Sequence, residues 1–288
     1  MEGLLLIMKS YRNWFELALA YVLRRRFPET LVLRKGIEIH GPMVRSLWTV
    51  LRLAALLENM WTVEAFDGEV LRLNKAGLNF RLRLTPADLA QFNDIFDVQT
   101  YGQDFRDKVV LDVGMYNGDS AVYFASKGAK FVLGLEPFRE SFELARLNIE
   151  SNGFSGKVIP LNLALASCQG EAKLYVASNN LLANSIQPTA LVTPSDRFDS
   201  SVGIETTTIP ELVKEYGLDR IDYLKMNCEG CEYDVMRNLQ PDLFDAIGEI
   251  FLQFHSGPQD LPNILKKRGF EVDLSGKLEG FLRARRNK

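Results

Sequence analysis

The segment Val109-Val110-Leu111-Asp112-Val113-Gly114-Met115-Tyr116-Asn117-Gly118-Asp119 constrains the fold more than any other stretch of the chain. Its first part, Val109 to Val113, is a nearly continuous apolar run that reads as a strand buried on both faces, and such strands belong to parallel sheets covered by helices on either side. The glycines behind it allow a tight turn into a helix expected near Ser120 to Lys127. The pattern then repeats. Further strands are expected near Phe131 to Leu135, Val158 to Leu163, Ile221 to Met226 and Ile247 to Phe254, with helices near Glu140 to Ser151 and Asp260 to Arg268. Alternating strands and helices of these lengths build βαβ units, and so a doubly wound, mostly parallel α/β sheet. Phe270 to Leu274 and Leu278 to Arg283, around Ser275-Gly276, form a hairpin that adds an antiparallel C-terminal strand.

Before Lys108 the pattern is different. Trp14, Leu17, Ala18, Tyr21 and Val22 follow helical spacing, with Arg24 to Arg26 near the helix end, where cations suit the dipole, and Pro28 closing it. Two short strands around Lys35-Gly36, a helix after Pro42 carrying Leu47, Val50, Leu51, Ala54 and Leu57 on one face, and another strand pair around Lys75 to Gly77 complete an α+β region. Residues 1–104 are read as this cap region and 105–288 as the α/β domain. Nothing in the cap carries chemistry of its own, His40 included. Its first helix either docks on its own protein or makes a peripheral contact with an anionic membrane surface.

Composition narrows the function classes. At 47% hydrophobic and 25% charged residues, with no apolar run near the ~20 residues that span a bilayer, the chain reads as a soluble globular protein. The opening run Leu4 to Met8 follows Glu2 rather than a basic segment and lacks a small-residue cleavage site, so a cytoplasmic protein is expected. A formal net charge of −3 points away from nucleic acid as partner. The Ser-, Asn-, Thr- and Pro-rich stretch from Ala177 to Thr208 is too long for an ordinary connection and is assigned to acceptor binding, a plain surface insertion being the alternative.

The turn after the first α/β strand does not suit a dinucleotide. Once Gly114 is taken as the first glycine of that fingerprint, Tyr116 and Asp119 stand where two more are needed for the backbone to approach a pyrophosphate. Instead Asp112 ends the strand, where it would repel a pyrophosphate but meet the amino group of an amino-acid ligand, directly or through water. Gly114 and Gly118 let the turn pass close beneath that ligand, and Glu136, about 20 residues on, ends the second strand where an acid hydrogen-bonds ribose hydroxyls. Acid, glycines and acid together describe an aminoacyl nucleoside, and S-adenosylmethionine is one with no phosphate between its ends. The expected fold is thus a Rossmann-like class I methyltransferase.

From Tyr101 to Arg283 the chain resembles the FkbM-type methyltransferases. The resemblance rests on Asp112-x-Gly114-x-x-x-Gly118, on Glu136-Pro137 with Asn148 and Asn152, on Asn162-x-Ala164, and on Lys225-x-Asn227-x-Glu229-Gly230-x-Glu232 with His255. It implies methyl transfer from S-adenosylmethionine to a small-molecule acceptor, commonly oxygen on a sugar. Asp112, Gly114, Tyr116, Gly118, Glu136, Pro137, Asn162, Ala164 and Asn227 are the cofactor-binding residues it points to. Where the family has an aspartate this chain has Asn227, and where it has a glutamate before the histidine this chain has Gln253. An amide replaces neither the charge nor the proton-accepting power of a carboxylate, so no metal is expected.

Glu229, His255 and Lys225 remain as the catalytic candidates. Lys225 either contacts substrate or pairs with a neighbouring carboxylate, and Glu232 equally serves the N-terminal dipole of a helix. Cys228 and Cys231 fill positions the family gives to small apolar residues, so packing is the economical reading, ahead of a redox pair or half a zinc site. Two rival functions stand beside methyl transfer: a non-catalytic module holding the cofactor or a partner, and, against the glycine pattern, an NAD-dependent oxidoreductase.

Overall fold

The computed structural model of the chain describes residues 2–187 and 197–286, and divides it into two compact units, Met1–Thr100 and Tyr101–Lys288. The division falls just ahead of the boundary expected after residue 104. Among the described residues no helix is long and apolar enough to cross a membrane.

The first unit runs α1 (Glu2–Ser10), α2 (Trp14–Val22), β1 (Thr30–Val32), β2 (Glu38–His40), α3 (Leu47–Glu58), β3 (Thr62–Phe66), β4 (Val70–Lys75), β5 (Leu78–Arg83) and α4 (Pro86–Phe96). Strands β1 and β2 form an antiparallel pair, and β3-β4-β5 an antiparallel meander. The rings of Trp61, Phe80, Phe92 and Phe96 pack mostly edge to face in its core. The α4 helix starts where it does because Thr85 Oγ1 accepts the Asp88 amide at 3.0 Å. One expectation is corrected here: helix α1 was not foreseen, because its short apolar run was read only as a failed leader. Arg24 to Arg26 lie near the end of α2 as expected, just past it, since Arg24 adopts a left-handed φ of 51° that stops the helix. Phe15 and Val22 of α2 are 67% and 63% exposed, beside those three exposed arginines.

The second unit runs β6 (Val109–Val113), α5 (Asp119–Ser126), β7 (Phe131–Leu135), α6 (Arg139–Ser151), β8 (Val158–Leu161), β9 (Ala164–Leu165), β10 (Gly170–Val176), β11 (Ser200–Thr207), α7 (Ile209–Tyr216), β12 (Ile221–Met226), α8 (Cys231–Asn238), α9 (Pro241–Asp245), β13 (Ile247–Phe254), α10 (Leu261–Lys267), β14 (Phe270–Gly276) and β15 (Gly280–Arg286). Seven strands form one sheet in the order β14-β15-β13-β12-β6-β7-β8. Those from β13 to β8 are parallel, and β15 runs antiparallel to both its neighbours. This is the doubly wound sheet with an antiparallel final strand that the sequence pattern calls for, a Rossmann-like class I methyltransferase fold. Its core holds Leu111, Val113, Leu133, Leu135, Leu224, Met226, Ile250 and Leu252, side chains that the parallel strands bury beneath helices.

Part of the Ala177 to Thr208 stretch is not a loop. Ser200–Thr207 is strand β11, paired antiparallel with β10 along its length and parallel with β9 at its end. Residues 188–196 of the assignment to acceptor binding lie outside the described residues. Helix α7 follows at once, opened by a capping box in which the Thr208 hydroxyl takes the Glu211 amide and the Glu211 carboxylate takes the Thr208 amide.

Candidate functional site

The strand order reverses between β6 and β12: the chain leaves β6 toward β7 and β8, then returns to β12 and leaves toward β13. In open α/β sheets the crevice at the carboxyl ends of strands at such a reversal is the binding place. The segments that carry the sequence motifs all leave the sheet there.

The turn after β6 is held from several sides. Gly114 and Met115 both donate their amides to Leu135 O of the neighbouring strand, at 3.0 and 2.9 Å. Gly114 has φ of 75°, and a Cβ placed on it would lie 2.0 Å from the Asn227 carbonyl oxygen, so the turn and the segment after β12 are in backbone contact. Gly118 has φ of 79°, and a Cβ there would come 2.9 Å from Ala145 Cα on α6. Between them Tyr116 takes φ of 51° despite its side chain, and its amide donates to Glu136 Oε2 at 3.1 Å. Glu136 Oε1 accepts the Phe138 amide at 2.9 Å. A carboxylate has about four acceptor sites on its two oxygens, the chemistry that hydroxyl donors seek. Asn162 Nδ2 donates to the carbonyls of Glu136 and Pro137, both at 2.9 Å, and so fixes where β7 ends. Ala164 is buried in β9, opposite Thr206.

Asp112 and Lys225 are direct neighbours on β6 and β12, and neither side chain has any exposed surface. Lys225 Nζ lies 2.9 Å from Asp112 Oδ1 and donates to the carbonyls of Gly114 and Val113 at 2.6 and 3.3 Å. Ser120 Oγ donates to Asp112 Oδ2 at 2.6 Å. The ammonium thus makes two hydrogen bonds to backbone carbonyls and a buried ion pair with Asp112. Of the two readings of Lys225, the structure shows the pairing with a neighbouring carboxylate, that of Asp112, and the same ammonium ties the glycine turn to β12.

Beyond β12, Glu229 (φ of 54°) and Gly230 (φ of 114°) turn the chain sharply into α8. The turn is roofed by the segment before residue 188: Ser185 Oγ donates to Glu229 O, and Gln187 Nε2 donates to Gly230 O at 2.8 Å. His255, one residue past β13, places Nε2 3.1 Å from Glu229 Oε1, and both side chains are more than nine-tenths buried. Burial opposes the imidazolium, but the hydrogen bond and charge of Glu229, with Glu232 and Glu279 behind it, prevail and raise the His255 pKa. Glu232 is pushed up to about 7, chiefly by burial. Gln253 is half-buried on β13 opposite Phe281.

Cys228 and Cys231 form a disulfide, with sulfurs 2.03 Å apart and Cα atoms 5.5 Å apart, which corrects the packing reading. The left-handed Glu229-Gly230 pair folds the two cysteines onto each other, and residue spacing alone does not reveal that. Among the described residues, Cys228, Cys231 and Glu232 are the one group whose donor atoms converge as metal ligands do. Sulfurs bonded to each other are not thiolate ligands. Ser120, Ser185 and Gln187 were missed from sequence: Ser185 and Gln187 lie in irregular chain, and Ser120, on the first turn of α5, is small and polar and stands outside any apolar pattern.

The residues present fit an aminoacyl nucleoside. The turn offers a left-handed glycine backbone, Glu136 offers acceptors for hydroxyls, and the buried Asn227 Oδ1 has no hydrogen-bond partner among the described residues. The chain is similar to several known proteins. Methyltransferase sdnD of Sordaria araneosa is 22% identical over 190 residues, which cover 57% of this chain and 73% of that protein. The crystal structure of methyltransferase FkbM from Methylobacillus flagellatus is 14% identical with a TM-score of 0.46, over 82% of this chain and 54% of that one. TrmK of M. capricolum, solved with S-adenosyl-homocysteine, is 11% identical with a TM-score of 0.43, over 67% of this chain and 69% of that one. The family model described as "Methyltransferase FkbM domain" matches residues 112–272, more than half of the sequence. By that match the chain belongs to the FkbM methyltransferase family, for which S-adenosylmethionine is the cofactor.

Proposed function

We propose that this chain transfers a methyl group from S-adenosylmethionine to oxygen on a sugar or another small acceptor, with His255 and Glu229 taking the acceptor's proton. The observation that carries this reading is the 3.1 Å approach of His255 Nε2 to Glu229 Oε1 at the ends of β12 and β13. S-adenosylmethionine, when bound, supplies an electrophilic methyl group on a sulfonium.

The chain's own residues do the rest. The Gly114–Gly118 turn lets backbone approach the ligand, and Glu136 accepts its hydroxyls. Asp112, Lys225 and Ser120 keep that turn in place from beneath. With Nε2 turned to Glu229, Nδ1 of His255 is the nitrogen left to take a proton. Glu229 orients the imidazole and steadies the imidazolium that forms, as a carboxylate does in acid–base dyads. Burial of the pair strengthens this by excluding water.

Calorimetric titration with S-adenosylmethionine and S-adenosyl-homocysteine, on wild type and Glu136→Ala, tests the first half. Both ligands should bind the wild type and bind the variant more weakly. Labelled methyl transfer to a panel of neutral sugars, by wild type and His255→Asn, tests the second half. General-base catalysis contributes about 10²–10⁴-fold, so a loss of that order is expected in His255→Asn. Cofactor binding with no transfer to any acceptor would favour a binding module. Transfer that survives His255→Asn unchanged would remove the base.

A further inference from the structure

Cys228 and Cys231 have no part in the proposed methyl transfer, yet they bracket Glu229. Cys228 is half-buried before α8, whereas Cys231 is buried as the first residue of that helix. The next residue, Glu232, is 1% exposed. Its Oε2 accepts the Gly230 amide at 3.0 Å and lies 3.2 Å from Cys228 Sγ. Its Oε1 is buried with no hydrogen-bond partner among the described residues. A sulfur in a disulfide has no hydrogen to give, so the close approach of Oε2 to Sγ becomes a hydrogen bond only when the carboxyl is protonated or the sulfur is a thiol. The site thus has one sulfur open to attack, one sulfur at a helix N-terminus where a thiolate is stabilised, and a sequestered carboxyl touching the first.

We propose that Cys228 and Cys231 are a thiol–disulfide exchange site for a dithiol reductant, with Glu232 moving the proton. A thiolate of the reductant attacks Cys228 Sγ; the bond between the cysteines breaks, and its electron pair leaves on Cys231 Sγ at the start of α8. The second thiol of the reductant, losing its proton, attacks its own sulfur in the mixed disulfide. That releases Cys228 as thiolate and the reductant as a disulfide. Two electrons and two protons pass to the cysteine pair, and Glu232 hands one proton to Cys228 Sγ before regaining one from solvent. The groups facing Glu232 are Glu229 from the preceding turn, His255 from the end of β13 and Tyr233 beside it on α8. Burial holds the Glu232 pKa at about 7, so at neutral pH it is present in both the giving and the taking form. The site stands independently of methyl transfer.

The full-length protein, oxidised and then treated with dithiothreitol across pH 6 to 8.5, is quenched with N-ethylmaleimide and weighed intact. Cys168 is exposed and free, so it labels in every sample and serves as internal control. The oxidised wild type should gain one label and the reduced protein three, with Cys228 and Cys231 appearing together and disappearing again in oxidised dithiothreitol. Glu232→Gln should slow reduction at pH 7 by about tenfold, a fraction of what a positioned acid typically contributes. Should that variant not fold, Cys231→Ser leaves Cys228 alone, and its alkylation rate should show an inflection near pH 7 in addition to the thiol's own. Three labels in the oxidised protein, or one label in folded protein under excess dithiothreitol, would overturn the proposal. So would a reduction rate equal in wild type and Glu232→Gln, or a single-thiol profile without the inflection near 7.

Discussion

Replacing Lys225 by methionine keeps the length of the side chain and removes its charge. The structure lets the cost be worked out. Lys225 Nζ sits 2.9 Å from Asp112 Oδ1 with both side chains fully buried, so the variant strands a carboxylate in the sheet with Ser120 Oγ still donating to it. Breaking a buried pair from one side costs about 3–5 kcal/mol. The Gly114 carbonyl also loses its donor at 2.6 Å, which puts the expected loss near ~4 kcal/mol. Adding Asp112→Asn removes the stranded charge, so the double variant should recover about 2 kcal/mol relative to the sum of the two singles. Urea unfolding at pH 7, followed by circular dichroism on all four proteins, gives the cycle. Because the pair acts through the Gly114 turn, Lys225→Met protein that remains folded should lose affinity for S-adenosylmethionine more than it loses turnover at saturation. A single-variant loss below about 1 kcal/mol with no coupling would refute the reasoning and return Lys225 to the list of groups that touch substrate.

The methyl-transfer rate should climb with pH, because His255 works as a base only after losing the proton that Glu229 helps it keep. Its pKa is raised, so the inflection should lie above the ordinary histidine value of about 6.5 and move down in Glu229→Gln, read from kcat against pH. Gly114→Ala should destabilise by more than the ~1–2 kcal/mol of a left-handed backbone alone, because the new methyl meets the Asn227 carbonyl, and thermal unfolding beside Gly153→Ala, a left-handed glycine in open space, isolates the excess.

Much of the sheet was legible because strands covered on both faces are mostly apolar; β6, β7, β12 and β13 have the bounds that their largely apolar runs mark. Strand β11 was not, since its first six residues stay out of the core and are serine, glycine, valine, isoleucine and glutamate rather than an apolar run. It is a strand because β10 supplies a partner, a fact about pairing and not about local pattern. Spacing alone places Glu136 at the end of β7 and the glycine turn after β6. The internal use of Lys225 was not legible, because the register that sets it beside Asp112 exists only once β6 and β12 are paired. Likewise the Cys-x-x-Cys spacing was in plain view, but whether its sulfurs meet is decided by the positive φ angles of Glu229 and Gly230.

Gly114 and Asn227 touch through their backbones with no room for a methyl group between them. The glycine turn proposed to seat the cofactor and the loop that carries Glu229 are thus one block. Anyone grafting a new 227–232 loop to retarget the acceptor would be re-shaping the cofactor's seat at the same time, and the 112–118 turn would have to travel with the graft as a matched set.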